Sequence, residues 1–222
     1  VKVVQTLFTV IFDPDFLKTV WYSAARILGG FFTALTLGTV LGWVASRFWV
    51  VETLLRPITA VIKATPVASF IILVLLWFSG KNLSVIISML MVFPVIYMNV
   101  LEGIRSADEK LLEMAQVFRL SVGKKLLYIY LPAVAPFFVS ACSVSLGLCW
   151  KSGIAAEVIG TPDGSIGAVF YQAKIFLQTS ELLAWTVVVV AVSVAFEKLF
   201  MLLLRLILKK LKMEDVLNGK RA

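Results

Sequence analysis

Few residues in this sequence of 222 residues could carry out catalysis. It contains no histidine, which excludes histidine-based proton transfer, metal ligation and catalytic triads. Cys142 and Cys149 lie in one apolar block, and on a helix they are separated by ~10 Å along the axis, too far for a disulfide. Gly123-Lys124-Lys125 lacks the leading glycine and the following hydroxyl of a phosphate-binding loop. We therefore expect no enzyme active site, no cofactor and no metal site in this chain.

Ionisable residues within or beside apolar blocks are the remaining candidates for function, because charge is costly to place inside a bilayer. Glu157 follows a long apolar block and precedes a glycine-rich segment that contains Gly160, Ser165 and Gly167. These four residues are candidates for a transport pathway or a gate that dips into it. Two simpler readings stay open: Glu157 pairs with Lys151 and fixes a surface loop, and the glycine-rich segment is only a turn.

A second candidate is the longest polar stretch, residues 102–131. Asp108 is suited to cap a helix, and apolar residues at helical spacing follow it: Leu111, Leu112, Ala115 and Phe118. The pattern predicts two short amphipathic helices at a membrane face. The stretch is either an ordinary connection that packs on its own helices or a docking element laid in the groove of a partner.

The elements around these candidates are membrane spans. Hydrophobic residues make up 60% of the chain and charged residues 15%, whereas soluble domains have about 45–50% and about 25%. Apolar blocks of about 20 residues predict an all-α polytopic fold, one transmembrane domain over residues 1–222. The predicted spans are 19–45, 58–78, 83–101, 131–150 and 182–208, with a short helix at the membrane surface within residues 1–18.

Details within the spans predict how they pack. Gly29 and Gly30, and the pair Gly38 and Gly42, would let another helix approach closely. In the last span, Glu197 and Lys198 are expected to form a contact between helices or to extend to the bilayer surface, rather than to bind a solute.

Orientation follows from the distribution of Lys and Arg, which are enriched in cytoplasmic links. The links 46–57, 102–131 and 205–222 hold 13 of the 21 basic residues. We therefore expect the link 102–131 and the C-terminus to be cytoplasmic. With five spans, the N-terminus is then expected outside.

The link 102–131 also resembles the cytoplasmic signature of ATP-binding-cassette (ABC) import permeases. That signature is Glu-Ala-Ala, three residues, Gly, nine residues, Ile, one residue and Leu-Pro. Here the matching positions are Glu113-Met114-Ala115, Arg119, Ile129 and Leu131-Pro132. The spacing agrees throughout, and the sequence departs at Met114, where the family has Ala, and at Arg119, where it has Gly. Gly123 could relax the turn that the family's Gly provides.

The resemblance extends along almost the whole chain to the nitrate/sulfonate/taurine branch of these type I importer permeases. The stretches that carry it are Ser23 to Phe31, Thr65-Pro66, Leu75 to Gly80, Glu102 to Arg105, Ala156 to Gly160 and Ser165 to Gly167. These stretches occur in the order that the family has.

The resemblance implies a prokaryotic cell-membrane permease that works with three kinds of partner. Two copies of an ABC ATPase bind ATP and Mg on the cytoplasmic side, a second permease copy completes the pathway, and an extracytoplasmic protein delivers the solute. It implies contact with the ATPase, around a coupling helix, for Ala107, Leu111, Leu112, Glu113, Ala115, Phe118, Arg119, Gly123, Leu131 and Pro132. The implied cargo is a sulfonate-, nitrate- or taurine-like anion, or a vitamin-like compound.

Two other classes compete with an importer subunit. A stand-alone secondary transporter or channel would need no ATPase, and it would more often show an internal repeat, which is not evident here. An integral membrane enzyme would need convergent catalytic groups. The basic residues lie at the ends of apolar blocks, which argues against a nucleic-acid partner.

Overall fold

The computed structural model describes residues 2–210, and helices account for nearly all of them. In chain order these are α1 (Lys2–Ile11), α2 (Phe16–Arg47), α3 (Trp49–Ala64), α4 (Val67–Trp77), α5 (Gly80–Arg105), α6 (Glu109–Val117), α7 (Val122–Lys125), a π-helical turn (Leu126–Tyr130), α8 (Leu131–Gly160), α9 (Ile166–Ile175) and α10 (Thr179–Lys210). The predicted all-α fold is confirmed. The basic residues of the predicted C-terminal tail after residue 210, which are Lys212, Lys220 and Arg221, lie outside the described residues.

Within residues 2–210, four helical stretches are long and apolar enough to cross a bilayer: α2, α5, Val122–Gly160 and α10. They contain the spans predicted at 19–45, 83–101, 131–150 and 182–208. Each helix extends beyond its predicted span, because a charged residue ends an apolar block in the sequence without ending the helix. The largest difference is in α8, which continues from Trp150 to Gly160 and so includes Glu157.

Residues 58–78 do not form the single spanning helix that was predicted for them. This region forms α3 and α4, which meet at an angle of 109° across Thr65 and Pro66. Proline restricts the residue before it to extended backbone, and Thr65 has φ −81° and ψ 132°. The predicted polar link 46–57 is also mostly helical, since α3 begins at Trp49. In the part of the chain that the structure describes, a fifth span exists only if the bent pair of α3 and α4 crosses the bilayer as one unit.

The core is built around α5, which packs against α2 on one side and α8 on the other. Fully buried side chains from all three helices meet there: Ile27 and Phe31 of α2, Val92 and Ile96 of α5, and Cys142, Leu146 and Cys149 of α8. Both cysteines are free, so the expected absence of a disulfide between them is confirmed. The α10 helix has few buried residues along its length.

Glycines on one face of α2 allow the close approach to α5. A Cβ built on Gly38 would lie 3.0 Å from the Ile96 side chain, and one on Gly42 would lie 3.1 Å from the Tyr97 carbonyl oxygen. Gly30 makes an even closer contact, whereas Gly29 faces open space. The predicted close approach is therefore confirmed at Gly30, Gly38 and Gly42, and is wrong at Gly29.

The bundle has two distinct ends. At the first, an ion pair joins Glu52 in the first turn of α3 to Arg105 in the last turn of α5, with 2.5 Å between Oε2 and Nη2. We call this the basic end, because the links 46–57 and 102–131, which are rich in Lys and Arg, lie at it. At the opposite end, Gly80 packs against Gly160, and α9 returns from α8 to α10.

The predicted short helix near the start of the chain is confirmed as α1. Its Leu7 and Val10 side chains pack against the cluster that contains Trp185 and Val188 of α10. Its position at the membrane surface stays a prediction.

Candidate functional site

The link between α5 and α8 lies at the basic end and carries the first candidate site. It turns at Ser106, and Asp108 caps α6 as predicted, because its Oδ1 accepts a hydrogen bond from the N–H of Lys110 at 2.9 Å. The cap sets the start of a helix of nine residues, Glu109–Val117. The first of the two predicted amphipathic helices is confirmed.

One face of α6 anchors this link to the body of the protein. Ala107, Ala115 and Ile129 are buried together, and Leu112 and Leu120 pack against them. Ala115 is fully buried. Three of the predicted partner-contacting residues, Ala107, Leu112 and Ala115, therefore position the helix instead of forming its outer surface.

The outer face of α6 is open and carries both charged and apolar side chains. Glu113 lies two residues before Ala115, about 200° around the helix, and it is exposed on the side away from the body. We define the coupling surface by its exposed residues: Leu111, Glu113, Met114, Val117, Phe118 and Val122. Phe118 is 71% exposed and Val122 is 81% exposed. Exposed apolar side chains flanked by charged ones, presented on a short capped helix, suit a groove in another protein.

The second predicted short helix does not form a separate element, so this prediction is wrong. Residues from Val122 onward run without a break into α8 through the π-helical turn. Pro132 has no N–H to donate to the carbonyl four residues earlier, and the wider turn, in which the Leu131 N–H reaches the Leu126 oxygen, accommodates this gap. Leu131 and Pro132 form the half-buried first turn of α8, and Gly123 lies exposed in α7.

The second candidate site is a buried hydrogen-bond network at the opposite end. Glu157 is completely buried in the last turn of α8. Its Oε2 accepts hydrogen bonds from the Ser23 hydroxyl at 2.6 Å and from the Gly167 N–H at 3.3 Å. The Ser23 hydroxyl oxygen in turn accepts the Ile166 N–H at 2.9 Å. One carboxylate therefore connects α2, α8 and α9.

The other predicted gate residues surround this network. Ser165 caps α9, because its Oγ accepts the Ala168 N–H at 3.0 Å. Gly167 lies directly against the backbone and Cβ of Glu157, where no side chain would fit, and Gly160 packs against Gly80. All four predicted residues thus belong to one tight connection between α8 and α9.

Two expectations about Glu157 are wrong. It lies inside α8 and not in a link after the span, since hydrogen bonds from Ser23 and Gly167 allow a carboxylate to continue an apolar helix. It also does not pair with Lys151, which is exposed on another face of α8. Ser23 was not predicted as a site residue, because nothing in the sequence marks its contact with a residue 134 positions away.

Comparison with known proteins identifies this architecture. Residues 34–213 match the family described as binding-protein-dependent transport system inner membrane component. The chain belongs to this family. It is a membrane-spanning permease subunit of an ABC importer in the inner membrane, and the family works with ATPase and substrate-binding partners. The predicted resemblance to ABC import permeases is confirmed.

Curated relatives agree with this assignment. The permease is 28% identical to a putative aliphatic sulfonates transport permease of Bacillus subtilis (strain 168), over 94% of this chain and 76% of the relative. It is 26% identical to the taurine transport system permease of Escherichia coli (strain K12), over 88% of this chain and 73% of the relative. A crystal structure of an amino acid ABC transporter with histidines matches with a TM-score of 0.60 at 16% identity, over 87% of this chain and 96% of that chain, which shows the same fold.

The permease keeps the signature turn although Arg119 replaces glycine. Arg119 has φ +50°, the left-handed conformation that favours glycine. The Leu120 N–H reaches back to the Ala115 oxygen at 2.9 Å, which closes α6 as a Schellman motif does. Gly123 does not relax the chain, since it is part of helical α7. The strain is therefore located at Arg119.

Replacing Arg119 by glycine is expected to stabilise this turn by about 1 kcal/mol, because glycine adopts positive φ without a Cβ clash. Hydrogen exchange of the Leu120 amide in detergent-solubilised permease would measure the change as slower exchange. Gln116→Gly, at an exposed position inside α6, is the matched control and is expected to destabilise the helix by about 1 kcal/mol. Equal or faster exchange in Arg119→Gly would contradict the assignment of strain to this residue.

Glu197 of the permease forms the expected contact between helices. Its Oε1 accepts a hydrogen bond from the Ser143 hydroxyl of α8 at 2.9 Å. Lys198 and Arg205 lie beside it and line a cavity of about 560 Å³ between α8 and α10. Glu197 thus joins α10 to the core helix in a region where α10 is otherwise little buried.

Proposed function

We propose that the coupling surface is the docking site through which a cytoplasmic ABC ATPase drives this permease. The observation that carries the proposal is the contrast between the two faces of α6. Ala107, Ala115 and Ile129 fix the helix to the ends of α5 and α8, while Glu113 and Phe118 remain exposed on the outer face. A force applied to α6 would reach α5 and α8 directly, and these helices form the core.

The working transporter contains two permease copies, proposed as a homodimer, and two ATPase subunits. ATP and Mg are bound by the ATPase, and the permease contributes no cofactor. Closure of the ATPase dimer moves the two coupling surfaces and switches access between the membrane sides, which requires two arrangements with different contacts at the ATPase. The basic end is cytoplasmic, and so is the C-terminus, in agreement with the excess of Lys and Arg there.

The cargo is a small anionic solute that an extracytoplasmic binding protein delivers. The relatives' names refer to aliphatic sulfonates and taurine, which all carry a sulfonate group. The network of Glu157, Ser165 and Gly167 lies at the opposite end, where the solute enters. There it holds α9 against α8 and α2 as part of the outer gate.

Charge reversal on the coupling surface tests the proposal. Glu113→Arg is expected to lower recovery of the ATPase with the permease at least ~10-fold, because Glu113 lies at the centre of the contact and an unmatched charge there is costly. Affinity purification from native membranes in mild detergent, followed by mass spectrometry, would measure the ratio of ATPase to permease.

Asp163→Arg is the matched control. It makes the same charge change at an exposed residue of the opposite end, and ATPase recovery is expected to equal that of the original sequence. Purification of the permease without any ATPase would contradict the proposal and favour a stand-alone transporter. An equal loss in both variants would show that Glu113 has no specific role.

A further inference from the structure

Lys151 is a charged residue at bilayer depth. It lies on α8, part of a stretch long and apolar enough to span the membrane, nine residues before the helix ends at Gly160. At 1.5 Å per residue it is ~14 Å from that end and only ~8 Å from the middle of α8. With the middle of α8 taken as the bilayer midplane and ~15 Å of hydrocarbon on each side of it, Lys151 falls inside the hydrocarbon core.

The side chain of Lys151 does not point into the protein. Trp150 and Gly153, its near neighbours in sequence, are buried, whereas Lys151 is exposed. One turn earlier on the same face of α8 is Gly147, which has free space around it, and two turns earlier is the exposed Val144.

No carboxylate compensates the charge of Lys151 within residues 2–210. The ion pair recorded there joins Glu52 and Arg105. Glu157 is six residues further along α8, about 240° around the helix, and its Oε2 already accepts hydrogen bonds from Ser23 and Gly167. An ammonium group without a carboxylate partner at this depth is costly against lipid, and such groups face water-filled cavities in membrane proteins.

The break between α3 and α4 lies on the same flank. Leu148 and Ala155, one turn to either side of Lys151, pack against the cluster that contains Ile62 of α3 and Ile71 of α4. Residues 65–66 interrupt the helix there, and irregular backbone at membrane depth is tolerated where protein or water satisfies it. An uncompensated cation and a helix break, which are independent features, therefore indicate water on this side of the bundle.

We propose that Lys151 lines the translocation pathway and attracts the negatively charged group of the solute as it crosses the membrane. The proposal rests on the permease function above and names the residue that selects anions within it. A lysine ammonium is a compact point charge that does not require a planar bidentate partner, so it can serve anions of different shapes. In a transporter with two permease copies, two such charges face the pathway.

Water access at Lys151 is tested first, with a probe that does not depend on the cargo. Lys151→Cys, in a background with Cys142→Ser and Cys149→Ser, is treated with membrane-impermeant methanethiosulfonate reagents in proteoliposomes of the assembled transporter. Labelling is expected at Lys151→Cys. It is not expected at Val190→Cys, an exposed position of α10 at similar depth from the opposite end. Equal resistance of both positions to labelling would overturn the proposal.

The electrostatic role is tested at Gly147, one turn from Lys151 and open to added atoms. Gly147→Cys is labelled with a sulfonate-bearing and with a trimethylammonium-bearing reagent. Replacing Lys151 by Met is expected to lower the ratio of the anionic to the cationic labelling rate about five-fold or more, because a unit charge ~6 Å away is removed. An unchanged ratio would overturn the role of Lys151. ATPase recovery from the same membranes reports separately on the proposed function.

Discussion

Gly30→Ala is expected to destabilise the permease by about 3 kcal/mol, one of the largest effects of adding a single methyl group in this chain. The added Cβ would lie against the Val85 carbonyl oxygen and 2.8 Å from the Ser88 Cβ. Backbone atoms of α5 cannot move aside as a flexible side chain can, so α2 and α5 must separate. This contact is part of the main helix packing of the bundle, and its loss affects the whole fold.

Gly29→Ala provides the matched control one residue away. A Cβ at Gly29 meets no atom within 4 Å, and alanine is the better helix former. We expect an unchanged or slightly higher melting temperature for this variant. Tryptophan fluorescence during thermal unfolding in detergent would compare the two variants with the original permease. Similar melting temperatures for Gly29→Ala and Gly30→Ala would show that the close approach of α5 does not determine stability.

The long spans could be predicted because hydropathy is a local property of the chain. A block such as Leu182 to Leu208 is apolar over more than 20 residues, and a helix is the structure that satisfies its backbone in lipid. Hydropathy carries no information about the direction of a helix axis. It joined Ile58 to Phe78 into one span, although Pro66 separates two helices at 109°. A bend changes the geometry without changing the composition.

The helix α6, which carries most of the coupling surface, could be predicted because its pattern is also local. The cap at Asp108 and the helical spacing up to Phe118 set α6, and the family signature directed attention to Glu113. The signature did not separate anchoring residues from exposed ones. Ala115 is buried and Phe118 is exposed, and this difference depends on Ile129, which reaches Ala115 only in the folded protein.

The buried hydrogen-bond network around Glu157 was predicted much less completely. Glu157 was marked as a candidate, because a carboxylate near a span is costly unless it has partners. Its partners could not be named, since Ser23 comes from a different span and Gly167 from the return of α9. Contacts between segments that are far apart in the chain produce no recognisable residue pattern in a single sequence. The reading that paired Glu157 with Lys151, a nearby cation in the sequence, is therefore not the one that the structure shows.

Glu157→Leu is expected to lower stability by about 3 kcal/mol and to loosen α9. Leucine resembles glutamate in length, yet it leaves two buried donors, the Ser23 hydroxyl and the Gly167 N–H, without their acceptor, and each such loss costs about 1–3 kcal/mol. Since the Ser23 hydroxyl also accepts the Ile166 N–H, the disturbance reaches the start of α9. Faster hydrogen exchange at the amides of Ile166 and Gly167 is the expected signature.

Glu157→Gln separates the loss of an acceptor from the loss of charge. The amide oxygen of glutamine can occupy the position of Oε2 and accept both hydrogen bonds, so protection at Gly167 should remain close to that of the original permease. Ser23→Ala should reproduce part of the effect of Glu157→Leu at Ile166, because the acceptor of that amide is removed. Equal protection of Gly167 in the leucine and glutamine variants would mean that α9 is held by packing alone, such as the close fit of Gly167 on Glu157, and that the carboxylate has another role.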